Sequence, residues 1–393
     1  MKMRERLSGN EAIAIAMRQI NPDVMPAFPI TPSTEVPQYF SSFVADGKVD
    51  TVFVPVESEH SAMSAATGSE AAGARTLTAT SSCGMALMWE MLYVAASNRL
   101  PIAMALVNRA LSGPININCD HSDAMGARDS GWIQIFAENN QEAYDNFVQA
   151  YRIAEHPDVR LPIMICQDGF ITSHAVENID LLEDAAVKDF VGEYTPDEYL
   201  LKAGEPLAVG PYAVSSYYME AKRAQLEGLK NAKKVIQSVA DDFESISGRE
   251  YGLFEAYQLE DAEYIMIIMG SAAGTAKDTV DGLRAAGVKA GVLKIRVFRP
   301  FPSEEIAEAI RHAKVIACMD RTESYNGYAG PIAEDVKNAL YNINVNIPMI
   351  NYVYGLGGRD VTIESLASVF DDMQKADKAG DVGENYRYLS VRE

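Results

Sequence analysis

The 393-residue chain, 48% hydrophobic and 23% charged, has the composition of an ordinary globular protein long enough for two or three cored domains. A formal net charge of -21 argues against nucleic acid and anionic membrane partners, since both bind basic surface. Cys83, Cys119, Cys166 and Cys318 stand far apart without a CxxC pair, so neither a zinc site nor an iron–sulfur ligand set is encoded, and they read as reduced, mostly buried thiols. The start MKMRERLSGNEAIAIAM lacks a signal peptide's unbroken apolar core, and no apolar run is long enough to span a bilayer. A cytoplasmic location is the expectation.

Taken in chain order, the first half alternates short apolar runs with longer amphipathic or Ala-rich segments. TVFVPV (51–56), RTLTATSS (75–82), PIAMALVN (101–108) and LPIMICQDG (161–169) read as buried parallel strands because their apolar residues run nearly without a break. HSAMSAATGSEAAGA, GMALMWEMLYVAASN and NQEAYDNFVQAYRIAEH read as the helices between them, which makes residues 1–195 a doubly wound α/β domain. Residues 196–258 open as a Pro/Gly-punctuated loop and continue as a charged helix, a connector expected to pack between domains. Alternation resumes with YIMIIMG (264–270), AGVLKIRVFRPF (290–301), AKVIACMD (313–320) and IPMINYVYG (347–355), a second, smaller α/β domain over 259–393. Its polar tail reads as an arm or a contact with a partner.

Open parallel sheets place ligands at the carboxyl ends of their strands, so the polar loops there are the candidate site. In AFPITPSTEVPQYF, Pro29, Pro32 and Pro37 stiffen the backbone around Ile30 and Thr31; this is either a plain turn or the rigid wall of a ligand site. In PVESEHSA, Ser58 is a plausible N-cap, which leaves Glu59 in the first helical turn. Glu59 then either complements the helix dipole or shares a proton with a ring nitrogen of a cofactor. Arg109 follows a buried strand directly and must find an acceptor. Asp120 and Asp123 are internal candidates, and a substrate carboxylate suits the planar guanidinium equally. The hydroxyl-bearing turns TSSCG (80–84) and CQDGFITSH (166–174) can cradle an anion or amide. MGSAAGT lacks the lysine of a P-loop, YGLGGRD reads as a turn, and the five histidines show no metal-ligand spacing.

Together FPITPST, ESEHSA, NRALSGPININCDHSD, QDGFITSH, IRVFRPFP and DRTESYNGYAGP, spread over nearly the whole chain, resemble the alpha subunits of the thiamine-diphosphate-dependent 2-oxoacid:ferredoxin oxidoreductases, pyruvate:ferredoxin oxidoreductase in particular. The resemblance implies a pyrimidine-binding thiamine diphosphate domain (1–195), the connector (196–258) and a transketolase C-terminal-like domain (259–393). It implies that Glu59 activates the cofactor, that Pro29 and Ile30 line its site, and that Thr31 and Arg109 contact the oxoacid. The implied reaction is the CoA-dependent oxidative decarboxylation of pyruvate, with electrons passed to ferredoxin. The family's GDG…Asn motif for diphosphate and Mg²⁺ is missing here, as are cluster cysteines, so Mg²⁺ and [4Fe-4S] clusters are expected on partner chains of beta, gamma and delta type. Phe28 stands where the family usually carries Tyr, which leaves other 2-oxoacids (branched-chain, aromatic, dicarboxylic) in play; a non-catalytic scaffold is the remaining alternative.

Overall fold

The computed structural model describes residues 3–392. Two twisted sheets organise it. The first has five strands in the spatial order Val297–Arg299, Ile133–Phe136, Ile163–Asp168, Ala103–Asn108, Leu77–Thr80, parallel except for the outermost Val297–Arg299. Beyond Leu77–Thr80 lies a parallel pair, Val24–Ala27 with Val52–Pro55, joined to it through a Val24–Thr76 bridge. The second sheet has six strands in the order Tyr386–Tyr388, Met349–Val353, Val315–Asp320, Tyr264–Met269, Ala290–Ile295, Phe254–Tyr257, and only Phe254–Tyr257 is antiparallel. Every residue of Ala103–Asn108, Ile163–Asp168, Tyr264–Met269 and Val315–Asp320 is buried, as helices on both faces require of central parallel strands.

Two segments depart from the sequence expectation. TVFVPV is a strand but not a buried one: Val52–Pro55 pairs on one side only, with Val24–Ala27, so Val52 is 60% exposed. AGVLKIRVFRPF is two strands rather than one. Ala290–Ile295 belongs to the second sheet, and after Arg296 the chain crosses over so that Val297–Arg299 pairs with Ile133–Phe136 of the first. The tail runs through helix Ile363–Ala379 into Tyr386–Tyr388, which pairs on one side with Met349–Val353 as the edge strand of the second sheet.

The long helix Tyr218–Ser247 buries Ala232, Val235, Ile236, Val239 and Phe243, a stripe at helical spacing that packs into the core beneath the first sheet. Its only ion pair to the second half, among the described residues, runs from Lys233 to Glu304 and Glu305. No helix among the described residues is long and apolar enough to cross a membrane.

Candidate functional site

The carboxyl ends of the two sheets face each other and are locked together at one buried carboxylate. Asp168, last residue of its strand, takes His121 Nε2 at 2.8 Å on one oxygen. The other oxygen accepts from Ser271 N at 3.0 Å, Ser271 Oγ at 2.5 Å and Arg321 Nη1 at 2.9 Å. Although burial opposes the charge, His121 and Arg321 hold this carboxyl far below the usual range, so it is ionised. Cys119, His121 and Asp168 come close enough to suggest a metal, yet Asp168 is fully engaged and Arg321 places a cation against it, which disfavours a second one.

Around this lock lie the loops singled out from the sequence. Glu59 opens the helix Glu59–Ala71, whose N-cap Ser58 accepts from Ser61 N at 3.2 Å. The side chain is 6% exposed, and its carboxylate has no hydrogen-bond partner among the described residues. A glutamate this far withdrawn whose carboxylate the protein leaves unbonded has its acceptors free for a ligand. Beside it, Thr80 Oγ1 and Ser81 Oγ are buried without partners. A Cβ built on Gly84 would collide with Thr80 Oγ1 and stand 2.8 Å from Glu59 Oε1, so only glycine lets this turn lie against the carboxylate. An unpaired acceptor with hydroxyls that can each donate and accept fits a polar heterocycle such as an aminopyrimidine ring.

Arg109 is 7% exposed, and its side chain makes neither of the ion pairs considered from the sequence. Its Nη1 donates to the carbonyl of Thr31 at 3.0 Å and its Nε to the carbonyl of Asn116 at 3.1 Å; among the described residues it has no carboxylate within ion-pair distance. Asp120 instead accepts from Ser122 N and Oγ, while Asp123 serves backbone N–H groups, including that of Arg109 itself at 3.0 Å. Burial pushes the Asp123 carboxyl up to about 6 against these bonds.

Thr31 is exposed in the turn Ile30–Ser33, closed by bonds from Ser33 N and Oγ to the Ile30 carbonyl at 2.9 and 2.8 Å. Pro29 is exposed and Ile30 half-buried beside it. Asn10 Nδ2 donates to the Pro32 carbonyl at 2.9 Å, so the proline-stiffened turn is anchored from behind. Thus Thr31 and Arg109 touch directly, whereas Glu59 reaches them through neighbours: Gly84 lies against it, and the next residue back, Cys83, has its thiol 3.0 Å from Ser112 Oγ on the arginine loop. That hydrogen bond holds the Cys83 thiol below its ordinary range.

The sequence reading missed Asp168, Ser271 and Arg321 as a group. One signal was available: Arg321 follows a fully buried strand just as Arg109 does.

A largely withdrawn acid whose carboxylate the protein leaves unbonded, a cationic side chain without an anion and a stiff, exposed turn at the strand ends of a doubly wound sheet define a cofactor-dependent α/β enzyme subunit. Residues 15–241 match the family described as "Pyruvate flavodoxin/ferredoxin oxidoreductase, thiamine diP-bdg", and residues 262–366 match "Pyruvate:ferredoxin oxidoreductase core domain II". The chain belongs to this pyruvate:ferredoxin oxidoreductase family, as a subunit of an oxidoreductase complex. It is 52% identical over 390 residues to pyruvate synthase subunit PorA of Thermotoga maritima, covering 99% of this chain and 98% of that one. It is 44% identical over 392 residues to PorA of Pyrococcus furiosus (100% and 99%), and 41% identical over 391 residues to ketoisovalerate oxidoreductase subunit VorA of Pyrococcus horikoshii (99% and 98%). Among solved structures, 2-oxoglutarate:ferredoxin oxidoreductase from Magnetococcus marinus shares the fold with a TM-score of 0.72 at 18% identity; 95% of this chain spans 65% of that one. A split-gene transketolase superposes with a TM-score of 0.53 at 11% identity, covering 96% and 98%.

Proposed function

We propose that this chain is the pyrimidine-side subunit of a CoA-dependent pyruvate:ferredoxin oxidoreductase, with 1–195 as the cofactor domain, 196–258 as connector and 259–393 as the transketolase C-terminal-like domain. The observation that carries the reading is Glu59, a residue only 6% exposed whose carboxylate has no hydrogen-bond partner among the described residues and opens beside the buried, unpaired hydroxyls of Thr80 and Ser81. Thiamine diphosphate, when bound, supplies a nucleophilic carbon and an electron sink for decarboxylation. Glu59 shares a proton with the ring nitrogen that faces it. Arg109 turns its free guanidinium edge to the oxoacid carboxylate, and the Thr31 hydroxyl, which has no protein partner among the described residues, completes that grip.

Diphosphate, Mg²⁺ and [4Fe-4S] clusters fall to partner chains of beta, gamma and delta type, which take the electrons on to ferredoxin in the cytoplasm. Pyruvate is preferred because a pyruvate synthase subunit is 52% identical, while the 41% identity to a ketoisovalerate oxidoreductase subunit makes a branched-chain oxoacid the second reading.

The test is co-purification from the native source followed by viologen reduction with CoA and a panel of 2-oxoacids. Pyruvate should give the highest kcat/KM. Calorimetry on the isolated chain should show weak thiamine diphosphate binding; tight, Mg²⁺-dependent binding by this chain alone would sink the divided-site reading.

A further inference from the structure

We infer that Asp123 is a positioning residue that sets the oxoacid-binding and cofactor-facing halves of the site with one carboxylate, an inference that rests on the function proposed above. Asp123 is 2% exposed and touches neither Glu59 nor the guanidinium of Arg109. Its Oδ2 accepts from the backbone N–H of Ser82 at 2.9 Å and from that of Arg109 at 3.0 Å. Its Oδ1 accepts from Asn108 Nδ2 and from Ala124 N, both at 2.8 Å.

The two bonds at Oδ2 fasten to one atom two segments that also meet through Ser82 Oγ on the Ala110 carbonyl and the Cys83 thiol beside Ser112 Oγ. One is the turn that begins at Ser82 and carries Gly84 against Glu59; the other is the strand end that launches the Arg109 side chain. Ser82 has a φ of 46°, a left-handed conformation that a residue with a Cβ adopts only when its surroundings impose it. Asp123 imposes it from the N–H side, and the Ala110 carbonyl does so through Ser82 Oγ at 2.6 Å. Four donors converge, so the group at this position has to be an acceptor on both atoms. An ionised carboxylate meets that requirement and an amide does not.

Capping the five-residue helix Ser122–Gly126 would need only the bond from Ala124 N. The bonds to Ser82 and Arg109 are surplus to a cap, and they reach the two turns whose spacing the proposed chemistry depends on.

The experiment uses Asp123→Ala in the assembled complex, with two readouts beside activity: hydrogen–deuterium exchange at the cofactor's C2 without substrate, and KM for pyruvate. Alanine removes both acceptor atoms, so the N–H groups of Ser82 and Arg109 lose their shared partner and the turns are free to separate, whereas an amide with its oxygen in the Oδ2 position would keep both bonds. Misplacement near 1 Å costs up to about 100-fold in rate. The expected result is C2 exchange slowed by roughly 10-fold or more together with a KM raised by a similar factor. Glu59→Gln should move only the exchange and Arg109→Ala only the substrate term, so a joint change marks a residue acting through both.

Asn108→Ala removes one bond at Oδ1 while leaving the carboxylate, and should produce the same joint change at a few-fold level. It serves if the Asp123 variant does not assemble. A lowered melting temperature with both readouts native in either assembled variant overturns the inference. A native complex that shows no thiamine diphosphate dependence would instead overturn the proposed function, and that result is visible before any substitution is made.

Discussion

Arg109→Ala tests the proposed substrate grip most directly. The guanidinium is nearly buried, holds two backbone carbonyls through Nε and Nη1, and has no anion beside it among the described residues. A hydrogen bond to a charged group contributes about 1.5 to 3 kcal/mol. At 1.36 kcal/mol per tenfold, losing the pairing with an oxoacid carboxylate should lower kcat/KM by roughly 10- to 150-fold. The same substitution unpairs the carbonyls of Thr31 and Asn116, so some loss of melting temperature accompanies it. Arg109→Lys separates the two effects: an ammonium reaches one carbonyl but cannot span two carbonyls and a carboxylate, so rescue should be incomplete. Thr31→Val removes only a hydroxyl and keeps the backbone carbonyl that Arg109 uses; its cost should be nearer about 1 kcal/mol. The assay is viologen reduction by the assembled complex with pyruvate and CoA, alongside C2 exchange without substrate, which should stay near native in all three variants. Native kcat/KM in Arg109→Ala with a depressed melting temperature would refute the reasoning and leave the arginine as a staple between Thr31 and Asn116.

Glu59→Gln should preserve the fold and slow C2 exchange by roughly 10² to 10⁴, whereas unchanged exchange would return Glu59 to complementing a helix dipole. Gly84→Ala forces a methyl against Thr80 Oγ1 and Glu59 Oε1. It should cost about 1 to 3 kcal/mol of stability in denaturant titration and weaken cofactor binding in calorimetry; a neutral result on both counts would show that the turn relaxes freely. Glu70 is buried with its carboxyl pushed up to about 8 by desolvation, while Oε2 accepts from Thr76 N at 2.9 Å. Its raised folded pKa means that its contribution is full below about pH 4.5 and is lost as pH rises toward 8. Glu70→Gln keeps an acceptor and removes the titration, so its melting-temperature advantage over the native chain should grow from pH 5 to pH 8, with a slope of up to roughly 1.4 kcal/mol per pH unit. Parallel pH curves for the two proteins would refute this.

Central strands were legible because burial on both faces leaves a nearly unbroken apolar run, as in Ile163–Asp168 and Tyr264–Met269. The same rule misread TVFVPV, since an edge strand in a partly exposed position can carry equally apolar residues. What the pattern could not contain was pairing between distant segments. Nothing in Val297–Arg299 announces that it leaves the sheet of Ala290–Ile295 to pair with Ile133–Phe136, because backbone ladders are made by groups every residue carries. Short four-residue strands such as Val24–Ala27 offered too few positions for a period to show.

Within the candidate site, residue types were legible and partners were not, for the same reason. Arg109 was matched with Asp120 or Asp123 because side-chain charges are what a sequence displays, yet its actual acceptors are the carbonyls of Thr31 and Asn116. The comparison with Arg321 sharpens the point. Both arginines directly follow fully buried strands at the facing ends of the two sheets, and both are almost wholly withdrawn from water. Arg321 meets Asp168 at 2.9 Å, so its charge is balanced inside the protein. Arg109 meets only neutral carbonyls. Burying a guanidinium without an anion is costly, and a chain that places Asp123 within reach of the Arg109 backbone spends that carboxylate on N–H groups instead. The imbalance at Arg109 is one negative charge, of planar and bidentate geometry, beside an exposed hydroxyl at Thr31. A 2-oxoacid carboxylate has that charge and that shape, which is why the proposed substrate class follows from the arginine that lacks a partner and not from the one that has found its own.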